Sequence, residues 1–195
     1  MNILRLIKKR RSSRRYENRP VSPKLINKII EAGIWGPSLL APGFQPWIFI
    51  LLREKTFIKE ISNIMFEKAE RMNILASRIL RFSAYTIASA PVVILVYSSS
   101  VLSRFTGKID KMFVRYARDA ELAAISAAIQ NMLLTAESIG IGSNWHDTPL
   151  FCEKEINQLL NVHNKLIAVL TFGVSSEGGR RSPRKPYIEA VKYLR

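Results

Sequence analysis

The chain is poor in several residue types, and each scarcity excludes something. It has one cysteine, Cys152. No disulfide can form within it, and the count gives no sign of secretion. A two-cysteine metal site is excluded, and two histidines, His146 and His163, are a thin basis for zinc. Long apolar runs are also missing. Stretches such as Ala90-Pro91-Val92-Val93-Ile94-Leu95-Val96 fall far short of the roughly 20 residues of a membrane helix. The N-terminal cations follow the apolar stretch Ile3–Ile7 instead of preceding it, the wrong order for a signal peptide. The expected location is the cytoplasm, with no membrane partner. Acidic residues are few: 15 against 30 lysines and arginines, a net charge of +15. Such a field favours anionic partners, whether nucleotides, nucleic acid or an acidic surface, without choosing among them.

What is present reads as one folded domain. The chain has 195 residues, 48% of them hydrophobic and 23% charged, enough for a real core. A single unit over 1–195 is expected, with a basic C-terminal arm over 178–195.

Two blocks draw attention. Five of the seven residues Lys9–Arg15 are cationic. Such crowding is repulsive unless an anion neutralises it. Ser12 and Ser13 add hydroxyls, and arginine presents a planar fork suited to phosphate oxygens. A solvated basic surface or a nucleic-acid arm would show the same pattern. The second block, Gly36–Trp47, is rich in proline and glycine and could bring backbone close to a flat ligand, or could simply connect a helix to a strand.

Val21-Ser22-Pro23 marks a helix start, with Ser22 as cap and Pro23 in the first turn. Leu25, Ile26, Ile29, Ile30 and Ile34 form its apolar stripe. Asn2–Lys9 reads as a short helix with Ile3, Leu4, Leu6 and Ile7 inward. Trp47–Leu52, Pro91–Tyr97 and Lys165–Val174 read as buried strands. Thr56–Ser83 is helical with a break near Met72. Ser98–Lys108 reads as a mobile loop. A long helix from about Ile109 to Ser138 carries a stripe of Leu122, Ile125, Ile129, Met132 and Leu133, flanked by alanines that let neighbouring helices approach. Its apolar breadth suggests burial between protomers. Gly140–Trp145 turns into a short strand, Glu153–Leu160 is a short helix, and Tyr187–Leu194 is a last strand or helix. His146 and Asp147 are adjacent, but no serine or cysteine nucleophile has a recognisable context, so a satisfied loop histidine is the expectation. Helices alternating with strands imply a layered sheet covered on both faces.

In order along the chain, these residues resemble the nitroreductase family of FMN-dependent NAD(P)H oxidoreductases. Arg10-Arg11-Ser12-Ser13-Arg14-Arg15-Tyr16 is similar to the family's N-terminal Arg-Arg-Ser-x-Arg-x-Phe/Tyr signature. Gly36-Pro37-Ser38 through Gln45-Pro46-Trp47 is similar to its Ala-Pro-Ser … Asn-x-Gln-Pro-Trp segment. Gln130-Asn131-Met132-Leu133-Leu134 with Gly140-Ile141-Gly142 is similar to its Gln-Asn-Leu-Leu-Leu … Gly-Leu-Gly element, and Pro183-Arg184-Lys185-Pro186 is a weaker echo. The likeness spans nearly the whole chain.

The resemblance implies an α+β three-layer sandwich, a mixed central sheet flanked by helices, in a homodimer with an exchanged C-terminal arm and FMN at the interface. It implies that Arg10, Ser12 and Arg184, with Arg11 beside them, hold the phosphate. Arg14 would lie by the pyrimidine side of the ring, stabilising the charge that develops there on reduction. Pro37, Ser38 and Leu39 would come from the other protomer, and the backbone at Trp145, His146 and Asp147 would face the reactive edge. NAD(P)H is the implied co-substrate and a nitroaromatic, quinone or similar electrophile the implied acceptor. No catalytic side chain and no metal is expected, because the flavin carries the chemistry. Specialised relatives, dehalogenating or flavin-fragmenting, share the motifs, and a basic nucleic-acid-binding module is the rival from another class. One departure stands out: Gly43 occupies the place of the family's asparagine, in a loop between Ser38 and Gln45 that is about two residues longer.

Overall fold

A computed structural model describes residues 2–38, 43–107, 111–180 and 182–194. Two strands organise it. β2 (Val92–Ser98) and β4 (Lys165–Gly173) lie side by side in the middle of a four-stranded sheet. The edges are β1 (Trp47–Leu52) beside β2 and β3 (Gly142–His146) beside β4. All neighbouring strands are antiparallel. Parallel pairing enters through an isolated bridge from Ser12 to Ser143 at the β3 edge.

Every residue of β2 is buried. Val92, Ile94 and Val96 feed a core on one face; Val93, Leu95 and Tyr97 feed a second core on the other. An antiparallel strand covered on both faces cannot alternate apolar and polar residues, which is why this one reads as a continuous apolar run. The first core is closed by α2 (Pro23–Ile34) and α6 (Lys111–Ser138). The second is closed by α3 (Lys55–Glu70), α4 (Ile74–Ser89) and α7 (Glu153–Leu160).

Local chemistry sets the boundaries. Ser22 Oγ accepts the Leu25 amide at 3.4 Å, and Pro23 occupies the first turn of α2. Asn73 Oδ1 accepts the Ala76 amide at 3.0 Å, so α4 restarts immediately after the break at Arg71–Asn73. α2 lies close against α6: a Cβ on Gly33 would fall 2.9 Å from the Met132 side chain. Buried Ala124, Ala128 and Ala136 keep the α6 surface low enough for that approach.

The structure corrects several expectations. α1 (Ile3–Lys9) buries only Leu6, while Ile3, Leu4 and Ile7 are exposed, because this short rim helix rests on α6 by one side only. β1 is half-buried, since an edge strand leaves Ile48 and Leu51 facing out. Leu122 is exposed and its neighbour Glu121 takes the buried place on α6. The presumed loop Ser98–Lys108 contains a helix, α5 (Val101–Thr106). Within the described tail, a single 3-10 turn forms, Tyr187–Glu189. None of the described helices is long and apolar enough to cross a membrane.

Candidate functional site

The cationic segment is fastened to the β3 edge. Ser12 bridges Ser143, and the Ser13 amide donates to the Ser143 carbonyl at 2.9 Å. Farther along, the Glu17 amide donates to the Val174 carbonyl at 2.9 Å, and the Ser176 amide to the Arg15 carbonyl at 3.1 Å. The approach needs a glycine, because a Cβ on Gly142 would fall 2.5 Å from Ser13 Oγ.

A buried polar network lies beneath. The Tyr16 hydroxyl is 2.8 Å from Thr171 Oγ1 and donates toward the Ser13 carbonyl at 3.1 Å. His146 Nε2 is 3.2 Å from the same Thr171 hydroxyl. Burial, aided by the nearby Arg14 charge, pushes the imidazole down to about 4, so it is neutral at pH 7. Burial also holds the Tyr16 phenol above its usual range, partly offset by its bond to Thr171. His146 is therefore a satisfied interior group, as the sequence suggested.

Above this network opens a cavity of about 780 Å3, within the range of cofactor sites. Ser12 and Arg14 form its floor, Phe82 and Tyr85 of α4 one wall, and Arg180 and Ser182 of the C-terminal segment another. The Arg14 guanidinium carbon sits 5.7 Å from the centre of the Phe82 ring. Arg10 is half-buried, and neither it nor Arg184 is among the residues that line this cavity. The Arg10 pKa is lowered by burial first; Glu137 opposes the shift, while the charges of Arg11 and Arg184 add to it. Cations from the two ends of the chain thus stand within electrostatic reach of each other.

Not every expected residue joins this group. The Arg11 guanidinium turns away and donates to the Lys8, Lys9 and Arg10 carbonyls at 2.6, 3.1 and 2.8 Å. It closes the C-terminal end of α1 and lines a separate cavity of about 620 Å3 with Arg5, Lys8 and Lys9. Pro37 and Ser38 are exposed and do not line the larger cavity. Leu39 lies outside the described residues. Trp145 and Asp147 are exposed on either side of buried His146, at the end of β3. Sequence reading missed the α4 wall. The signal in the sequence is slight: Ile74–Ser89 contains no acidic residue, whereas the exposure of Phe82 and Tyr85 is visible only in the structure.

The family's sequence model matches residues 7–174, which include the segment, the network and α4. The chain belongs to the nitroreductase family. A Methanothermobacter thermautotrophicus protein provisionally named NADH dehydrogenase/NAD(P)H nitroreductase is 32% identical over 145 residues, 74% of this chain and 60% of that one. An Archaeoglobus fulgidus protein of the same name is 31% identical over 142 residues, 73% of this chain and 65% of its own length. The match thus spans less than two thirds of these nitroreductase relatives. Among solved structures, a Desulfovibrio desulfuricans nitroreductase in complex with FMN aligns at 25% identity with a TM-score of 0.74, covering 100% of this chain and 98% of that one. A BluB-like flavoprotein from Clostridium difficile 630 aligns at 23% identity with a TM-score of 0.82 over the full length of both chains, so it shares this fold.

Proposed function

We propose that this chain is an FMN-dependent NAD(P)H oxidoreductase, working as a homodimer and delivering electrons to nitroaromatic, quinone or similar small acceptors. The observation that carries the reading is the cavity lined by Ser12, Arg14 and Arg15 from one end of the chain and by Arg180 from the other. The donors suit the group. Arg10, Ser12 and Arg184 supply charge and a hydroxyl for a phosphate, and arginine forks match its oxygens. Arg14 places positive charge beside the ring position, where preorganised charge is most useful. Phe82 and Tyr85 offer aromatic surface to a flat ligand. FMN, when bound, supplies the two-electron chemistry between nicotinamide and acceptor. The protein binds, orients and excludes water, and no side-chain acid or base is assigned.

The dimer reading rests on apolar surface that a lone chain leaves in water. Trp35 is 80% exposed and Leu194 95%, and Leu4, Tyr116 and Tyr193 are also exposed. Surfaces of this kind belong to interfaces. Pro37, Ser38 and Leu39 would line the partner's flavin, and the C-terminal arm would cross to the other protomer.

The test is anaerobic. Purified protein loaded with FMN should lose its oxidised-flavin absorbance on addition of NADH or NADPH and recover it on addition of a quinone. Flavin that binds but is reduced by neither nucleotide would leave a binding protein without this activity.

A further inference from the structure

α4 turns an apolar face outward. Ile74, Leu75, Ile79, Phe82 and Tyr85 are all at least half exposed, from 51% at Ile79 to 77% at Ile74. At about 100° per residue they fall within an arc of roughly 140°, opposite buried Leu80, Ala84 and Ile87. A surface stripe of this extent marks an interaction site. Leu4, Trp35 and Tyr116 of the proposed dimer surface lie with α1, α2 and α6 on one side of the sheet, whereas α4 closes the core on the other.

Charge selects the occupant. α4 has no acidic residue. Arg78 lies inside the apolar arc, and Arg71 sits just before the helix. Both are exposed, and neither forms an ion pair among the described residues. Arg81, at the edge of the arc, reaches Glu70 at 3.8 Å. A second copy of α4 would oppose Arg78 with another cation, and an apolar protein surface would bury it unpaired. Nucleic acid would satisfy the arginines but offers isoleucine and leucine nothing to pack against, since base stacking needs aromatic planes. A bilayer of anionic lipid accepts both. The aliphatic groups enter between acyl chains while the guanidinium rises to the phosphates. The chain's net charge of +15 favours the same surface.

We propose that the exposed face of α4 docks on an anionic lipid bilayer, peripherally and without crossing it. The expectation of no membrane partner rests on the lack of a spanning run, which docking of this kind does not need. Phe82 and Tyr85 belong both to this face and to the wall of the larger cavity, so docking sets the cavity mouth at the lipid headgroups. Resting on the proposed function, this makes a tailed quinone dissolved in the bilayer the acceptor. It takes up two electrons and two protons from the reduced flavin and leaves as the hydroquinone.

Flavin-free protein should co-sediment with vesicles of equal phosphatidylcholine and phosphatidylglycerol at least about tenfold more tightly than with phosphatidylcholine alone. L75Q/I79Q changes two exposed residues that do not line the cavity, so its melting temperature and FMN uptake should match the wild type. Its affinity for the mixed vesicles should fall about tenfold or more, and that of R71E/R78E as far. Equal affinity in L75Q/I79Q and the wild type would mean attraction by diffuse charge alone and would overturn the docking face. So would a wild type that stays in the supernatant, or an L75Q/I79Q variant altered only in oligomeric mass. The acceptor is read with FMN-loaded protein reduced by dithionite. A quinone with a long isoprenoid tail, held in the mixed vesicles, should oxidise the wild type about tenfold faster than L75Q/I79Q, while a short-chain quinone of the same ring in water oxidises both within about twofold. Equal rates with the tailed quinone would overturn the acceptor and leave the docking face standing. A wild type that takes up no FMN would overturn the proposed function and the acceptor with it, whereas vesicle binding by the flavin-free protein stands on its own.

Discussion

The two segments that meet the sheet, residues 10–16 and 98–106, are held in opposite ways. The first carries four arginines, Arg10, Arg11, Arg14 and Arg15. Their acidic company is sparse: Arg15 reaches Glu177 at 3.9 Å across exposed surface, and Glu137 opposes the depression at Arg10. An exposed pair of that kind is worth little. The second segment is organised by the Glu121 carboxyl, whose oxygens are all engaged inside the chain. In the proposed function the first awaits an external anion; the second is complete without one. Ligand should therefore stabilise the first region and leave the second unaffected.

The largest expected effect breaks the first region. R10A/R184A should weaken FMN binding by at least about 100-fold, since each charge-assisted contact contributes about 1.5–3 kcal/mol. The melting temperature of the flavin-free protein should hardly change, because neither guanidinium supports the fold. Isothermal titration and thermal melts check both halves. E121A should do the reverse, lowering the melting temperature of the apoprotein with FMN affinity preserved.

The next effect reads the network under the segment. The folded-state pKa of His146 is lowered from 6.5 to about 4. The unfolded chain therefore takes up the proton first. Stability from this group is complete above pH 6.5 and is lost as pH falls toward 4, by about 2–3 kcal/mol. Urea unfolding followed from pH 7 to 4 should show that loss in the wild type and a shallower slope in H146Q. Equal slopes would mean the imidazole is charged in the folded protein.

G142A sharpens the contrast at the seam. Its Cβ would fall 2.5 Å from Ser13 Oγ and 3.0 Å from Ser175 Cβ, so the Ser13 hydroxyl must rotate and both neighbours must give way slightly. A loss of about 2 kcal/mol is expected, with weaker FMN binding in the same titration. T171V is the mildest. It keeps shape but removes the hydroxyl shared by Tyr16 and His146. It should cost about 1 kcal/mol, a fall of roughly 2–4 °C in melting temperature.

These contrasts also explain what could be read before any coordinates. The start of α2 was legible because Ser22 and Pro23 act within one turn, and β2 because both its faces are buried. The break near Met72 was legible as a break, and the flavin-family motifs pointed to Ser12 and Arg14. α5 was not legible. Its first turn is fixed by a residue 19 positions beyond Leu102, and no local pattern records that contact. For the same reason Leu122 looked like core: hydrophobic periodicity has no term for a neighbouring carboxyl that finds four donors. Arg10 and Arg11 looked alike because a motif treats neighbours as one block, whereas the Arg11 guanidinium folds back onto the carbonyls that end α1. The outward faces of α1 and Trp35 would be covered only in the proposed dimer.

The most direct measurement is a titration of FMN into the flavin-free protein, followed by absorbance and repeated with R10A/R184A. The expected result is uptake of one FMN per chain by the wild type, with the double variant needing far more ligand to reach the same occupancy. A wild-type protein that stays colourless, or a double variant that binds as tightly as the wild type, would contradict a flavin site built from the two ends of the chain.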